Sequence, residues 1–224
     1  MTTKTAVHSD EEIQQDVIEE LRWDDNVQPI EIGVAVKDGI VTLTGWVDSY
    51  LKRFAAQEAA HRVLGVKAVV NEIEVQLPTS AERSDVDIAT AATRALEWHA
   101  LSLDKVEVTV SKGWITLRGE VEWHFQKEAA ERAVRNLSGV RGVTNLIVIK
   151  PQVHPTAEQM KKRIEAALLR SAETTAENIH VEVEGDKVIL IGEVRSYAER
   201  REAERAAWSA PGVASVDNRL VVVV

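Results

Sequence analysis

Three short stretches of the chain share one pattern, in which hydrophobic and polar residues alternate and then meet a glycine. The stretches are residues 40–47, 114–121 and 187–194, and their glycines are Gly45, Gly119 and Gly192. Such alternation is typical of a β-strand with one buried face and one wet face. The three glycines lie 74 and then 73 residues apart. This period predicts three tandem modules that share one fold.

A helix pattern precedes each of these strands. Ile13, Val17 and Leu21 recur every four residues in the first copy, which is typical of one stripe of an amphipathic helix. Each helix opens with a residue whose side chain can cap it, followed three positions later by a side chain that can bond back. These pairs are Ser9 with Glu12, Ser84 with Asp87, and Thr156 with Gln159.

The remaining patterns complete the module. A second alternating strand and a tight turn precede each glycine-bearing strand, and an alanine-rich helix and a third strand follow it. The sequence therefore predicts an α+β fold with the order αββαβ in every module. Each module is expected to form a three-stranded mixed sheet covered on one face by two helices. The predicted boundaries are residues 1–78 (module 1), 79–151 (module 2) and 152–224 (module 3).

Two further residue types repeat in register. A second glycine follows the first by twenty positions, and an asparagine follows that glycine by six; they are Gly65, Gly139 and Gly212, with Asn71, Asn145 and Asn218. One interpretation makes them a backbone cradle for a ligand. We favour a structural role, in which the first set of glycines permits close approach of helix and sheet, the second set ends the alanine-rich helix, and the asparagines turn the chain into the third strand.

Charge is spread unevenly over the three modules. The net charge is −9, with seven basic against fourteen acidic side chains in residues 1–78, ten against ten in 79–151, and ten against twelve in 152–224. The acidic first module predicts that nucleic acid is not a partner. It also predicts that an anionic bilayer, if bound, is contacted by module 2 or module 3. The longest apolar run is only residues 220–224, so no transmembrane segment is expected.

Cysteine is absent, which rules out disulfides and thiolate metal sites. The first ten residues lack the apolar segment of a secretory signal, so the chain as written is expected to be cytoplasmic. If a signal had been removed, the expected compartment would be the periplasm.

One motif runs through all three modules and resembles the bacterial BON domain family. It is Gly-Val-x-x-Val-x-Asn, at residues 65–71, 139–145 and 212–218. Tyr50 with Arg53 and Tyr197 with Arg200 strengthen the resemblance, whereas module 2 departs from it with His124 and Lys127. The resemblance implies a non-enzymatic attachment module, associated with osmotic or envelope stress, that binds phospholipid, a small ligand or an ion.

No catalytic, cofactor or metal-binding constellation is expected. The histidines do not fall at the spacing of a zinc site, and no nucleotide-binding loop or nucleophile motif occurs. The alternative function is a scaffold for a protein partner, in a monomer or a weak oligomer. Trp is unusually frequent relative to Tyr and Phe, and a core role competes with an interface role for it. The candidate binding surface consists of two tryptophans expected at exposed rims and four basic residues: Trp46, Trp123, Arg132, Arg135, Lys161 and Lys162.

Overall fold

The computed structural model describes residues 8–27, 32–98, 105–171, 174 and 176–223. Residues 1–7, on which most of the prediction about the N-terminus rests, lie outside this part. Within the described residues the α-helices are α1 (Asp10–Trp23), α2 (Tyr50–Arg62), α3 (Asp85–Trp98), α4 (His124–Arg135), α5 (Ala157–Arg170) and α6 (Tyr197–Trp208). Short 3-10 helices cover Thr79–Ala81 and Ala176–Asn178.

The strands form one separate sheet in each module. They are β1 (Ile32–Lys37), β2 (Ile40–Val47), β3 (Ala68–Asn71), β4 (Glu74–Val75), β5 (Val106–Ser111), β6 (Trp114–Val121), β7 (Gly142–Ile149), β8 (Ile179–Glu184), β9 (Lys187–Val194) and β10 (Ser215–Val222). In each sheet the glycine-bearing strand is central, antiparallel to the strand before it and parallel to the strand after it. Module 1 differs only in that its third strand is split into β3 and β4, both paired with β2. The α+β fold class is confirmed.

The first helices begin where the capping pattern predicts. The Ser9 hydroxyl accepts a hydrogen bond from the Glu12 amide at 3.2 Å, and the Glu12 carboxylate accepts one from the Ser9 amide at 2.8 Å. The stripe of Ile13, Val17 and Leu21 is buried, as are its counterparts in α3 and α5. This stripe packs with the alanines of the second helix over the inner face of the sheet, so each module has its own hydrophobic core.

The hairpin turn in modules 1 and 2 is tied to the start of the first helix. Asp38 and Gly39 both have positive φ (55° and 77°), as a tight two-residue hairpin turn requires. Their amides donate to the Asp10 carboxylate at 2.8 and 2.9 Å. Asp85 makes the same two bonds in module 2, each at 2.8 Å. Module 3 has Ala157 at this position and therefore lacks the tie.

The second set of glycines does not end the alanine-rich helices, so that expectation was wrong. The helices α2, α4 and α6 stop at Arg62, Arg135 and Trp208, three or four residues earlier. The glycines lie in the following loop with φ close to 90°. A Cβ on Gly65 would lie 2.9 Å from the Ile13 side chain, so glycine is needed where this loop crosses the first helix.

The anchor glycines also differ from expectation in what approaches them. Gly119 and Gly192 have φ of 139° and 140°, a region that residues with a Cβ rarely adopt. A Cβ on Gly119 would stand 2.0 Å from the Lys105 carbonyl oxygen. The close contact is therefore with the backbone entering the neighbouring strand, and not with a helix.

The asparagines link the second helix to the third strand. The Asn145 side-chain amide donates to the Lys127 carbonyl oxygen at 2.9 Å, and its Oδ1 accepts from the Ile147 amide at 3.3 Å. Asn71 and Asn218 make the equivalent bonds. Asn145 and Asn218 stand inside the third strand and not at its entry, which corrects that detail of the structural interpretation.

Contacts between the second helices join the modules in a cycle. At the first junction, Tyr50 of α2 packs against the core of module 2, and the Arg135 guanidinium carbon lies 4.1 Å from the Phe54 ring centroid. At the second junction, His124 of α4 stacks on Trp208 of α6, with ring centroids 4.2 Å apart.

The third junction brings the chain back to its first module. Tyr197 of α6 stacks on His61 of α2, with ring centroids 3.7 Å apart and an interplanar angle of 12°. Tyr50, His124 and Tyr197 each open a second helix, while His61, Arg135 and Trp208 each occupy its twelfth position. The same face therefore meets the same opposite face from module 1 to 2, 2 to 3 and 3 to 1. A heterologous contact repeated in this way closes a ring.

Candidate binding surfaces

The second helices surround a cleft of about 630 Å³ between the modules. Each helix contributes its ninth residue to the lining: Glu58, Arg132 and Arg205. Arg201 and Glu128 also line it, and Arg201 forms an ion pair with Glu58. Cations and carboxylates are thus interleaved, so the cleft offers both donors and acceptors to a small polar molecule.

Burial at the junctions perturbs several titratable groups. Burial lowers the pKa of His61 and of His124, the two imidazoles in the stacked pairs. Burial also raises the pKa of the Tyr50 hydroxyl where it packs on module 2, with a smaller contribution from the charge of Glu131. The closed ring therefore holds both histidines preferentially in their neutral form.

The predicted binding residues do not form one surface. Arg132 is exposed and lines the cleft between the helices. Arg135 instead covers Phe54 at the first junction. Lys161 and Lys162 lie on α5, where they pair with Glu165 at 3.7 Å and Glu158 at 2.7 Å.

The two predicted tryptophans have different environments. Trp46 is 41% exposed on the open face of its sheet, as expected. Trp123 is half-buried and lines a narrow gap at the second junction, so its expected exposure was overestimated. The alternation of strand residues gives the correct face for Trp46, whereas the burial of Trp123 depends on contact with another module.

Two tryptophans not singled out as binding residues are the most exposed. Trp23 and Trp98 end α1 and α3 at equivalent positions and are 84% and 88% exposed. The helix pattern contained this information. Both stand two residues beyond the last buried leucine of the stripe, about 200° around the helix. Module 3 carries Arg170 at this position, preceded by Leu169, which is 72% exposed.

Two classes of feature are missing from the part of the chain that the structure describes. None of its helices combines the length and apolar character needed to cross a bilayer. Among the same residues, no three histidine, aspartate or glutamate side chains are grouped so that they could hold a metal ion.

The fold defines a class of protein built from three tandem α+β modules. The model of the BON domain matches residues 9–76, 84–151 and 156–224, so the chain belongs to the BON domain family. This confirms the resemblance carried by the repeated glycine and asparagine motif.

Proteins similar to the chain include one curated relative and two solved structures. The osmotically-inducible protein Y of Escherichia coli (strain K12) is 28% identical over 126 residues, which cover 54% of this chain. The match spans 63% of that relative, less than two thirds of its length. Two structures of CdsD, a structural protein of the Type III secretion system of Chlamydia trachomatis, are 14% and 13% identical. They cover 93% and 97% of this chain, and this chain covers 91% and 100% of theirs. Both have a TM-score of 0.27, too low to support any argument.

Proposed function

We propose that the chain is a non-enzymatic binding protein that attaches to phospholipid surfaces in a role connected with osmotic or envelope stress. Membership of the BON family supports attachment as the activity. The name of the similar E. coli protein, which describes induction by osmotic change, supports the connection with stress.

The observation that carries the proposal is the exposure of Trp23 and Trp98. A cyclic arrangement sets equivalent positions at the same level of a ring, so the two indoles offer one membrane a pair of apolar contacts, and the exposed Leu169 lies one residue before the equivalent position in module 3. Trp is favoured at the boundary between lipid and water because its ring is apolar and its N–H is polar. Burying half of one indole contributes about 2–3 kcal/mol, from roughly 100 Å² at 25 cal/mol per Å².

Charge on the first helices selects which modules approach an anionic surface. Helix α1 carries six acidic side chains and one basic one, α3 three and one, and α5 two and four. Basic groups near an anionic leaflet contribute about 1 kcal/mol each, and acidic groups oppose binding. We therefore expect modules 2 and 3, rather than module 1, to contact an anionic lipid surface. Lys161 and Lys162 of module 3 add long-range attraction to it.

Flotation of the full chain with vesicles tests the proposal. On phosphatidylcholine, Trp23→Ala and Trp98→Ala are each expected to weaken binding at least about tenfold, since each tenfold corresponds to about 1.4 kcal/mol. When phosphatidylglycerol is added, Trp98→Ala should weaken vesicle binding more than Trp23→Ala does, because the acidic module 1 is repelled by the anionic lipid. Trp114→Ala, on the open face of a sheet, serves as the control. Unchanged flotation of the Trp23→Ala/Trp98→Ala chain would show that the proposed surface is wrong.

A protein scaffold is the second candidate. The observation that favours it is the apolar character of the open sheet faces in modules 1 and 2. Six of their residues are between 41% and 55% exposed: Ile40, Trp46, Val70, Trp114, Leu146 and Val148. A chain that stays in the soluble fraction with every vesicle composition would favour this function over lipid attachment.

A further inference from the structure

The three junctions use the same positions with different chemistry. At the third junction, Arg201 is the fifth residue of its helix and Glu58 the ninth residue of the helix it meets, and they form an ion pair. The same fifth-to-ninth relation matches Glu128 with Arg205 at the second junction. At the first junction the same two positions carry Phe54 and Arg132, although the guanidinium that covers Phe54 is that of Arg135. By position, two junctions thus carry a carboxylate and a guanidinium and one carries an aromatic ring and a guanidinium, and the Arg201–Glu58 ion pair is the one formed across the third junction.

These pairs discriminate between modules. Arg201 fits Glu58 but would meet a like charge if module 3 docked on the ninth position of module 2 or of another module 3, which are Arg132 and Arg205. Glu128 would likewise be repelled by Glu58, so module 1 rejects module 2 at this face. A face that attracts one partner and repels the others specifies that partner.

The third junction differs from the other two in being joined by no connecting peptide. Segments 76–84 and 150–156 connect the modules at the first and second junctions. At the third, the end of β10 meets the start of α1 only through space, where His8, Asp10 and residues 221–223 line a cleft of about 530 Å³. Closure of the ring therefore depends on side-chain recognition at this junction.

We propose that the Arg201–Glu58 pair, packed beside the Tyr197–His61 stack, is the recognition element that closes module 3 onto module 1. A second copy of this chain presents the same two faces. Because the contact is heterologous, the faces that close one ring also join an opened chain to another copy. The partner that this surface fits is thus a second copy of the chain, with module 3 of one docked on module 1 of the other.

Charge reversal tests the closure. Because the chain has no cysteine, Lys37→Cys and Glu193→Cys, both exposed, place spin labels on modules 1 and 3 alone. Arg201→Glu and Glu58→Arg are each expected to lengthen and broaden the distance distribution, whereas the double variant restores it. Circular dichroism shows whether the charge-reversed variants still fold. Arg201→Gln removes the charge without reversing it, so it is expected to lengthen the distance between the labels by an intermediate amount. Arg163→Glu on α5 is the matched control and leaves the distance unchanged.

Mixing the two single variants tests the second copy. Each variant alone opposes like charges at its third junction. In the mixture, the glutamate introduced by Arg201→Glu would complement the arginine introduced by Glu58→Arg, and the intact Arg201 and Glu58 of the two chains complement each other as well. The mixture is expected to form a species of twice the 24.8 kDa chain mass that neither variant forms alone. Unchanged distances in Arg201→Glu, or no recovery in the double variant, would overturn the closure; a monomeric mixture would overturn the second copy as partner.

Discussion

Inside the modules, the same residue types stand at the same positions three times, whereas equivalent positions of the junction faces do not carry the same residue in all three modules. Gly45, Gly119 and Gly192 all have strongly positive φ, and the three asparagines all link the second helix to the third strand. The first residues of the second helices, by contrast, are a tyrosine, a histidine and a tyrosine, and the twelfth are a histidine, an arginine and a tryptophan.

The difference separates two physical requirements within one chain. Every module must satisfy the same backbone geometry, so the residues that meet it repeat. Each junction must accept one neighbour only, so its residues diverge. The repeated glycines and asparagines therefore indicate the fold of a module, whereas the residues that differ on the facing second helices indicate which modules meet.

The largest expected effect comes from changing an interior glycine. Gly119→Val puts a branched side chain where φ is 139° and where a Cβ would lie 2.0 Å from a carbonyl oxygen. We expect a loss of at least about 3 kcal/mol in the free energy of unfolding, from strain and overpacking combined. Chemical denaturation measures it. Glu120→Ala is the control, because its exposed ion pair with Lys150 contributes at most about 1 kcal/mol. If the two variants lost the same free energy of unfolding, Gly119 would not be a position that the fold of the module requires.

A smaller effect is expected from Asn145→Ala. The change removes the bonds to the Lys127 carbonyl and the Ile147 amide and leaves those groups without their partner. A loss of about 1–3 kcal/mol in the free energy of unfolding follows. Asn136→Ala, at the exposed end of the same α4 helix, should cost much less. A loss for Asn145→Ala no greater than that of the control would show that the bridge is not a requirement of the fold.

The smallest effect concerns the junctions and acid. His61 faces Tyr197, Arg200 and Arg201 on α6 and has Glu58 on its own helix; His124 faces Trp208 and Glu204 and has Lys127 and Glu128 on its own. Burial lowers both pKa values below the usual 6.5, so an opened ring takes up protons first as the pH falls. Stability from these groups is complete well above pH 6.5 and declines below it.

Melting temperatures at pH 7.5 and 5.5 measure this decline, expected to be a few degrees. In a His61→Gln/His124→Gln chain the same pH change should lower the melting temperature less. If the melting temperatures of both chains fall by the same amount between pH 7.5 and 5.5, the two histidines do not make the junctions sensitive to pH.

Much of the module could be predicted because its determinants are local. The cap pair of Ser9 and Glu12 is three residues apart, and the buried stripe of Ile13, Val17 and Leu21 repeats at helical spacing. The role of Gly119 could be predicted only in part. The repeated pattern indicates a backbone conformation that favours glycine, but it does not indicate that the Lys105 carbonyl lies against this residue.

The junctions could not be predicted, because their partners are distant along the chain. Arg201 and Glu58 are separated by 143 positions, and no periodic pattern relates them. Arg132 and Arg135 looked like a single basic patch in the sequence. Once the helices pack, one lines a cleft and the other covers Phe54. The geometry between modules, and not the residue type, decides which of these side chains remains accessible.

The carboxylates of Asp10 and Asp85 have a consequence for the way the chain opens locally. Each one couples the first turn of a helix to the tip of a hairpin, so in modules 1 and 2 neither can fray without releasing the other. The alanine at position 157 leaves the tip at Gly185 and Asp186 free to separate from its helix. Cooperative opening units follow such ties. We therefore expect modules 1 and 2 to contain larger cooperative units than module 3, and the amide hydrogens of the module 3 hairpin to exchange before those of the other two hairpins.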